Sequence, residues 1–155
     1  MKVDVEREVR LDTNLFVDAF RDTSAEAALL GFLERALPFT FMSAVVMQEL
    51  AAGARTREQA RELERSVFRP FERRGRVFGP APAAFVNSGR LVAAVAAREG
   101  WEVIYENPSL LNDALLASSC REQGITLVTS DSDFDRFLPF FRGWRHVAPW
   151  PVPGA

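Results

Sequence analysis

The sequence predicts an α/β fold: a single three-layer α/β/α domain on a short-stranded, mainly parallel sheet. Three observations predict it. Short apolar runs of three or four residues alternate with stretches of helical periodicity along the chain. Within each run the residues are apolar or β-branched with little polar alternation, as in strands buried on both faces. Enough chain separates successive runs for a crossover helix, which implies right-handed βαβ units.

In chain order, Val9–Leu11 reads as the first strand and passes through Asp12 into a short helix ending near Phe20. Ser24 reads as the cap of a second helix, on which Ala28, Leu29, Phe32, Leu33 and Leu37 recur at helical spacing before Pro38. Phe39–Met42 reads as a buried strand, and Ser43 as the cap of a helix that stops at Gly53. A long helix is expected from about Thr56 to Arg69, then a short strand at Val77-Phe78 and a helix from Pro82 to Arg98 closed by Gly100. Ser109 caps the helix Leu110–Gln123, which stops at Gly124, and Ile125–Val128 is the clearest strand. Arg145–Val147 is the last and weakest. The domain spans 9–148, preceded by residues 1–8 as an extension or edge strand and followed by a Pro-rich tail, 149–155.

Composition narrows the chemistry. The chain has 155 residues, 19 Lys+Arg against 21 Asp+Glu, and 48% hydrophobic residues, the values of one globular domain. The longest near-apolar stretch, Phe39–Met47, falls far short of the ~20 residues of a membrane span. The first twelve residues hold no apolar signal segment, so a soluble cytoplasmic protein without a membrane partner is expected. Cys120 and His146 are each the only residue of their type, which excludes disulfide frameworks and Cys or multi-His zinc sites. Lys2 is the only lysine, which removes Schiff-base and P-loop chemistry.

In open parallel sheets ligands bind beyond the carboxyl ends of the strands. Asp12 directly follows the first strand, and Asp131 follows Ile125–Val128 after Thr129-Ser130. Asp113 lies in the first turn of the preceding helix, and Glu49 in the helix after the second strand. Each has an ordinary structural explanation alone: Asp12 and Asp131 as helix caps, Asp113 as a partner of the helix dipole, Glu49 as a solvated residue. Together they form an all-oxygen set that suits Mg²⁺ or Mn²⁺, since like charges gather at a cost unless a proton or cation intervenes. The run Asp131–Asp135 is not a calcium loop, because Arg136 and Arg142 stand where Gly and Glu are required.

Four blocks carry a resemblance: Leu11-Asp12-Thr13-Asn14, Ser43 with Glu49-Leu50, Asn112-Asp113 with Leu116-Ala117, and Thr129-Ser130-Asp131-Ser132-Asp133-Phe134. In order and spacing the chain resembles PIN-domain nucleases, most nearly the VapC-type toxins of bacterial toxin–antitoxin pairs. The resemblance implies that Asp12, Glu49, Asp113 and Asp131 are catalytic, metal-binding acids for Mg²⁺ or Mn²⁺, with Asn14, Thr129 and Asp133 as supporting residues. It implies endonucleolytic hydrolysis of RNA leaving 5′-phosphate and 3′-hydroxyl ends, and a small antitoxin protein as partner. A stand-alone PIN nuclease in RNA processing and a catalytically silent PIN-like binding module are the alternatives. A homodimer is expected because two-fold pairs are the commonest assembly.

Residues 55–76 hold eight arginines against four glutamates, and Arg57, Arg61, Arg65 and Arg69 fall at helical spacing. This stripe is a candidate RNA contact, or else a solvated face of Glu–Arg pairs. An apolar groove for the antitoxin is expected between the segments Phe39–Gly53 and Thr56–Phe71, with Met47, Phe68 and Phe71 in its walls. Trp101 and Trp144 are expected to be structural, and His146 to have no catalytic part.

Overall fold

The computed structural model describes residues 8–144 and 146–150. Among them five strands form one all-parallel sheet: β1 (Val9–Leu11), β2 (Thr40–Ser43), β3 (Val77–Phe78), β4 (Thr126–Val128) and β5 (His146–Val147), in the order β3-β2-β1-β4-β5. Val9 pairs with Thr40 on one side and Thr126 on the other, and Leu11 faces Val128. Every residue of β1, β2 and β4 is buried, whereas the edge strands β3 and β5 are only partly covered. That difference explains why the three central strands read as apolar runs and the edges as weaker ones.

The crossovers supply the outer layers. α1 (Thr13–Arg21) and α2 (Thr23–Ala36) join β1 to β2. α3 (Ala44–Gly53), α4 (Arg57–Leu63), a π turn (Glu64–Phe68) and α5 (Arg69–Glu72) join β2 to β3. α6 (Pro82–Glu99), α7 (Val103–Glu106) and α8 (Leu110–Gln123) return the chain across the sheet to β4. A 3₁₀ segment, Ser132–Phe140, leads on to β5. Right-handed crossovers that advance from β1 to β3 and then double back leave helices on both faces, the three-layer arrangement. Strand order reverses between β1 and β4, so the crevice of this fold opens at their carboxyl ends.

Several local expectations are corrected. Asp22, not Ser24, caps α2: its carboxylate accepts from the Ala25 N–H at 2.9 Å, and Ser24 lies inside the helix. The helix expected from Thr56 to Arg69 widens into the π turn, in which the Arg69 N–H reaches the Glu64 carbonyl. Pro70 explains this, because it has no N–H to donate and its ring would collide with the Ser66 carbonyl in an unbroken α-helix. Ser109 precedes α8 without capping it by its side chain. Trp144 is buried, but Trp101 is 60% exposed and so is not a core residue. Residues 1–7, Arg145 and 151–155, which include most of the extension and the Pro-rich tail, lie outside the described residues.

Arg10 breaks the apolar pattern of β1. It is fully buried, and its guanidinium donates to Ser119 Oγ at 2.9 Å and to Gln123 Oε1, both on α8. Burial lowers its pKa. Cys120, between those partners, is also enclosed, and burial pushes its thiol up to about 12, so it stays protonated.

Candidate active site

Asp12 leaves β1 in extended conformation and caps α1. Its backbone N–H reaches the Val128 carbonyl of β4 at 3.0 Å, which fixes it at the point where strand order reverses. Its Oδ1 accepts from the Thr13 N–H and its Oδ2 from the Thr129 hydroxyl, each at 2.7 Å. Thr129 Oγ1 in turn accepts from the Asp131 N–H at 3.0 Å, and Asp131 Oδ1 from the Asp133 N–H at 2.8 Å. One hydroxyl therefore ties the ends of β1 and β4 together. Asp131 caps the 3₁₀ segment, so the ordinary cap reading of Asp12 and Asp131 is realised alongside any chemical one.

Glu49 projects from α3. Thr13 donates its hydroxyl to Glu49 Oε2, and Asn112 donates its side-chain amide to Oε1 at 3.1 Å. Asp113, next to Asn112 in the first turn of α8, accepts from Ser109 Oγ at 3.3 Å. Neither Thr13 nor Asn112 was singled out from the sequence. The available signal was adjacency to Asp12 and Asp113 within the blocks, but their common partner lies 36 and 63 residues away. Asn14 Oδ1 is buried with no hydrogen-bond donor, Asp133 is exposed, and Glu49, Asp113 and Asp131 are half-buried.

Asp12 and Asp113 feel both their burial and the charges of the neighbouring acids. Burial raises Asp12 to about 6, opposed by its bonds from Thr129 and Thr13 and reinforced by the charges of Glu49 and Asp131. Burial raises Asp113 to about 7, with repulsion from Asp12, Asp131 and Glu49 added. Two carboxyls with pKa values raised toward neutrality lie at the carboxyl-terminal end of a parallel sheet, where perturbed acids are a functional signal. Among the described residues no three Asp, Glu, His or Cys side chains converge closely enough to chelate an ion as they stand.

The family model of the PIN domain matches residues 9–137, from the start of β1 through all four acids. The chain belongs to the PIN domain family. Solved structures share the fold of this PIN domain at low identity. The structure of FitAB bound to an IR36 DNA fragment aligns with a TM-score of 0.67 at 15% identity over 93% of this chain and 96% of that one. FitAcB from Neisseria gonorrhoeae gives 0.63 at 19% identity, over 90% and 96%. DNA-bound VapBC from Salmonella typhimurium gives 0.67 at 20% identity, over 92% and 98%. No curated protein matches the sequence.

The arginines of this PIN domain are placed less simply than their spacing suggests. Arg61, Arg65 and Arg69 line one shallow depression of about 600 Å³, but Glu58, Glu62 and Glu64 line it too. Arg65 pairs with Glu62, and Arg69 Nε lies 3.8 Å from Glu64. Arg57 is not part of that surface, so the stripe is three arginines interleaved with three acids.

An apolar groove is present, with one wall other than expected. About 460 Å³ of space is bounded by Val17 and Phe20 of α1 on one side and by Glu49, Leu50 and Leu63 of α3 and α4 on the other. A second depression of about 350 Å³ shares Phe20 and extends past Leu30 to Phe71. Phe68 is buried in the core and Met47 packs against it, so neither is a wall. Among the described residues no helix is long and apolar enough to cross a membrane. His146 Nε2 lies within hydrogen-bond distance of Asp135 Oδ1, at 2.7 Å.

Proposed function

We propose that this PIN domain is a divalent-metal-dependent endoribonuclease that acts in the cytoplasm as the toxin of a toxin–antitoxin pair. The observation that carries this reading is geometric: Asp12 is fixed at the strand-order reversal by Val128 and Thr129, and Glu49 is tied to the chain neighbours of Asp12 and Asp113. Burial first, then repulsion from the neighbouring acids, raises the pKa of Asp12 and Asp113. A fold that gathers four carboxylates from four distant segments gains from a cation that offsets their repulsion. The donor set fits Mg²⁺ or Mn²⁺, being oxygen throughout, with the buried Asn14 Oδ1 still lacking a partner.

Asp12, Glu49, Asp113 and Asp131 would hold the ion, which supplies an activated water and offsets charge on the phosphodiester. Around it the chain's own groups orient the acids. Thr129 holds Asp12 with Oδ2 in hydrogen bond, and the α1 N-terminus takes Oδ1. Thr129 and the Asp133 N–H fix the turn that presents Asp131. Attack by water leaves 5′-phosphate and 3′-hydroxyl ends. Single-stranded or looped RNA is the expected substrate, since its bases are unstacked and its backbone accessible.

The antitoxin reading is supported by the groove around Phe20, which opens on Glu49, and by likeness to FitAB and VapBC, solved as complexes. A disordered apolar segment suits such a groove, and a basic residue at its end would pair with the acids.

The test is purified protein on single-stranded RNA with Mg²⁺ or Mn²⁺, and expression in cells with and without the neighbouring small gene product. Cleavage lost in EDTA and restored by metal is expected. Asp12→Asn and Asp113→Asn should lower the rate by several powers of ten in folded protein. Growth arrest relieved by the neighbouring protein is the expected cellular result. Full cleavage by both variants after metal stripping and restoration would refute the site, and harmless expression would refute the toxin role.

A further inference from the structure

Glu49 is held at both carboxylate oxygens by neutral donors from two other elements. Thr13, the first residue of α1, donates to Oε2, and Asn112, in the first turn of α8, donates to Oε1 at 3.1 Å. A carboxylate only accepts hydrogen bonds, so it is the nitrogen of the Asn112 amide that must face it. Each donor is the chain neighbour of an acid that repels Glu49: Thr13 of Asp12, and Asn112 of Asp113. A glutamate on α3 has three rotatable side-chain bonds, and repulsion would favour its turning out to water. It stays among the acids because both oxygens are engaged. Nothing else among the described residues bonds its side chain.

We propose that Thr13 and Asn112 are a positioning pair that holds the Glu49 carboxylate on the side of Asp12 and Asp113, where a divalent cation would draw the acids together. The proposal rests on the metal-dependent reading above. Neither residue touches the cation or the RNA. Their part is to hold Glu49 where repulsion would disperse the acids. Outer partners of metal-binding side chains are generally worth 10–100-fold in metal affinity.

The test uses the whole chain and Mn²⁺ alone. Thr13→Val, near-isosteric, and Asn112→Ala are compared with wild type and with Thr13→Ser, which keeps the hydroxyl. Mn²⁺ affinity is measured by calorimetry, melting in EDTA by circular dichroism, and RNA cleavage against Mn²⁺ concentration. Both variants should weaken Mn²⁺ binding about tenfold or more, with melting in EDTA shifted by only a few degrees. Cleavage should recover most of its rate at saturating Mn²⁺, and Thr13→Ser should bind as wild type does. Should Thr13→Val fail to fold, Thr13→Ala gives the same reading without a buried methyl. Unchanged Mn²⁺ affinity in folded variants overturns the positioning pair and leaves the metal-dependent reading standing. A folded wild-type chain that binds no Mn²⁺ overturns both.

Discussion

Replacing Asp113 by Asn removes a carboxyl whose pKa burial and three neighbouring acids raise from 3.8 to about 7. Below pH 4 folded and unfolded chains both carry the proton, and the group is neutral in its effect. Between pH 4 and 7 the unfolded chain ionises while the folded chain keeps its proton, so stability is lost as pH rises. Above pH 7 the full penalty is present. A shift of roughly 3 units corresponds to about 4 kcal/mol at 1.36 kcal/mol per unit. Asp113 is only half-buried, and solvent screening reduces that to about 1–2 kcal/mol. For a domain of this size the variant should therefore melt about 2–6 °C above wild type at pH 8 in EDTA, with the gain vanishing near pH 4. Saturating Mn²⁺ should narrow or reverse the difference, because the cation stabilises only the chain that binds it. Thermal melts by circular dichroism at pH 4, 6 and 8, with and without Mn²⁺, check the prediction. A variant no more stable than wild type at pH 8, or equally stabilised at every pH, would refute the claim that repulsion and burial load this site.

Other outcomes follow from single features. Arg10→Ala leaves Ser119 and Gln123 without their donor and should cost about 3 kcal/mol in urea unfolding. Arg10→Met, which refills the volume without a charge, should recover much of it. Gly124→Ala should cost about 1–2 kcal/mol, because φ is +65° while no atom stands within 4 Å of the added methyl. If Arg61 and Arg69 contact phosphate, neutral Gln replacements should each reduce the slope of log K against log salt by about 1 in RNA-binding titrations. An unchanged slope would mark them as partners of Glu58, Glu62 and Glu64 only.

The fold and the acids were legible because both are written locally. Continuous burial of β1, β2 and β4 imposes apolar runs, and glycines at Gly100 and Gly124 mark helix ends where φ is positive. An acid directly after a strand, at Asp12, is likewise a local sign. What escaped depends on partners remote in sequence. Arg10 looks out of place in a strand until Ser119 and Gln123 meet it from α8. Thr13 and Asn112 gain their meaning only from Glu49. The π turn rests on one missing N–H at Pro70, and α7 is four residues long, too short to show a period. One wall of the groove comes from α1, and Met47 and Phe68 are not lining residues. Sequence alone does not separate them, because half-buried Met47 and core Phe68 carry the same apolar signature as lining residues.

The Thr129–Asp12 bond spans 117 residues of chain, and β1 takes its second neighbour only when β4 docks beside it. Closing so long a loop costs entropy that no nearby contact repays in advance, so the β1–β4 junction is expected to form after the local contacts. Before then Asp12 has no hydroxyl to orient it, although the local turn around Asp131 can already form. A chain still being synthesised, or one partly unfolded, would carry every acid and lack the arrangement that brings them together. The order in which the acids come together is thus a property of topology, and the junction between the first and fourth strands serves as its timing element.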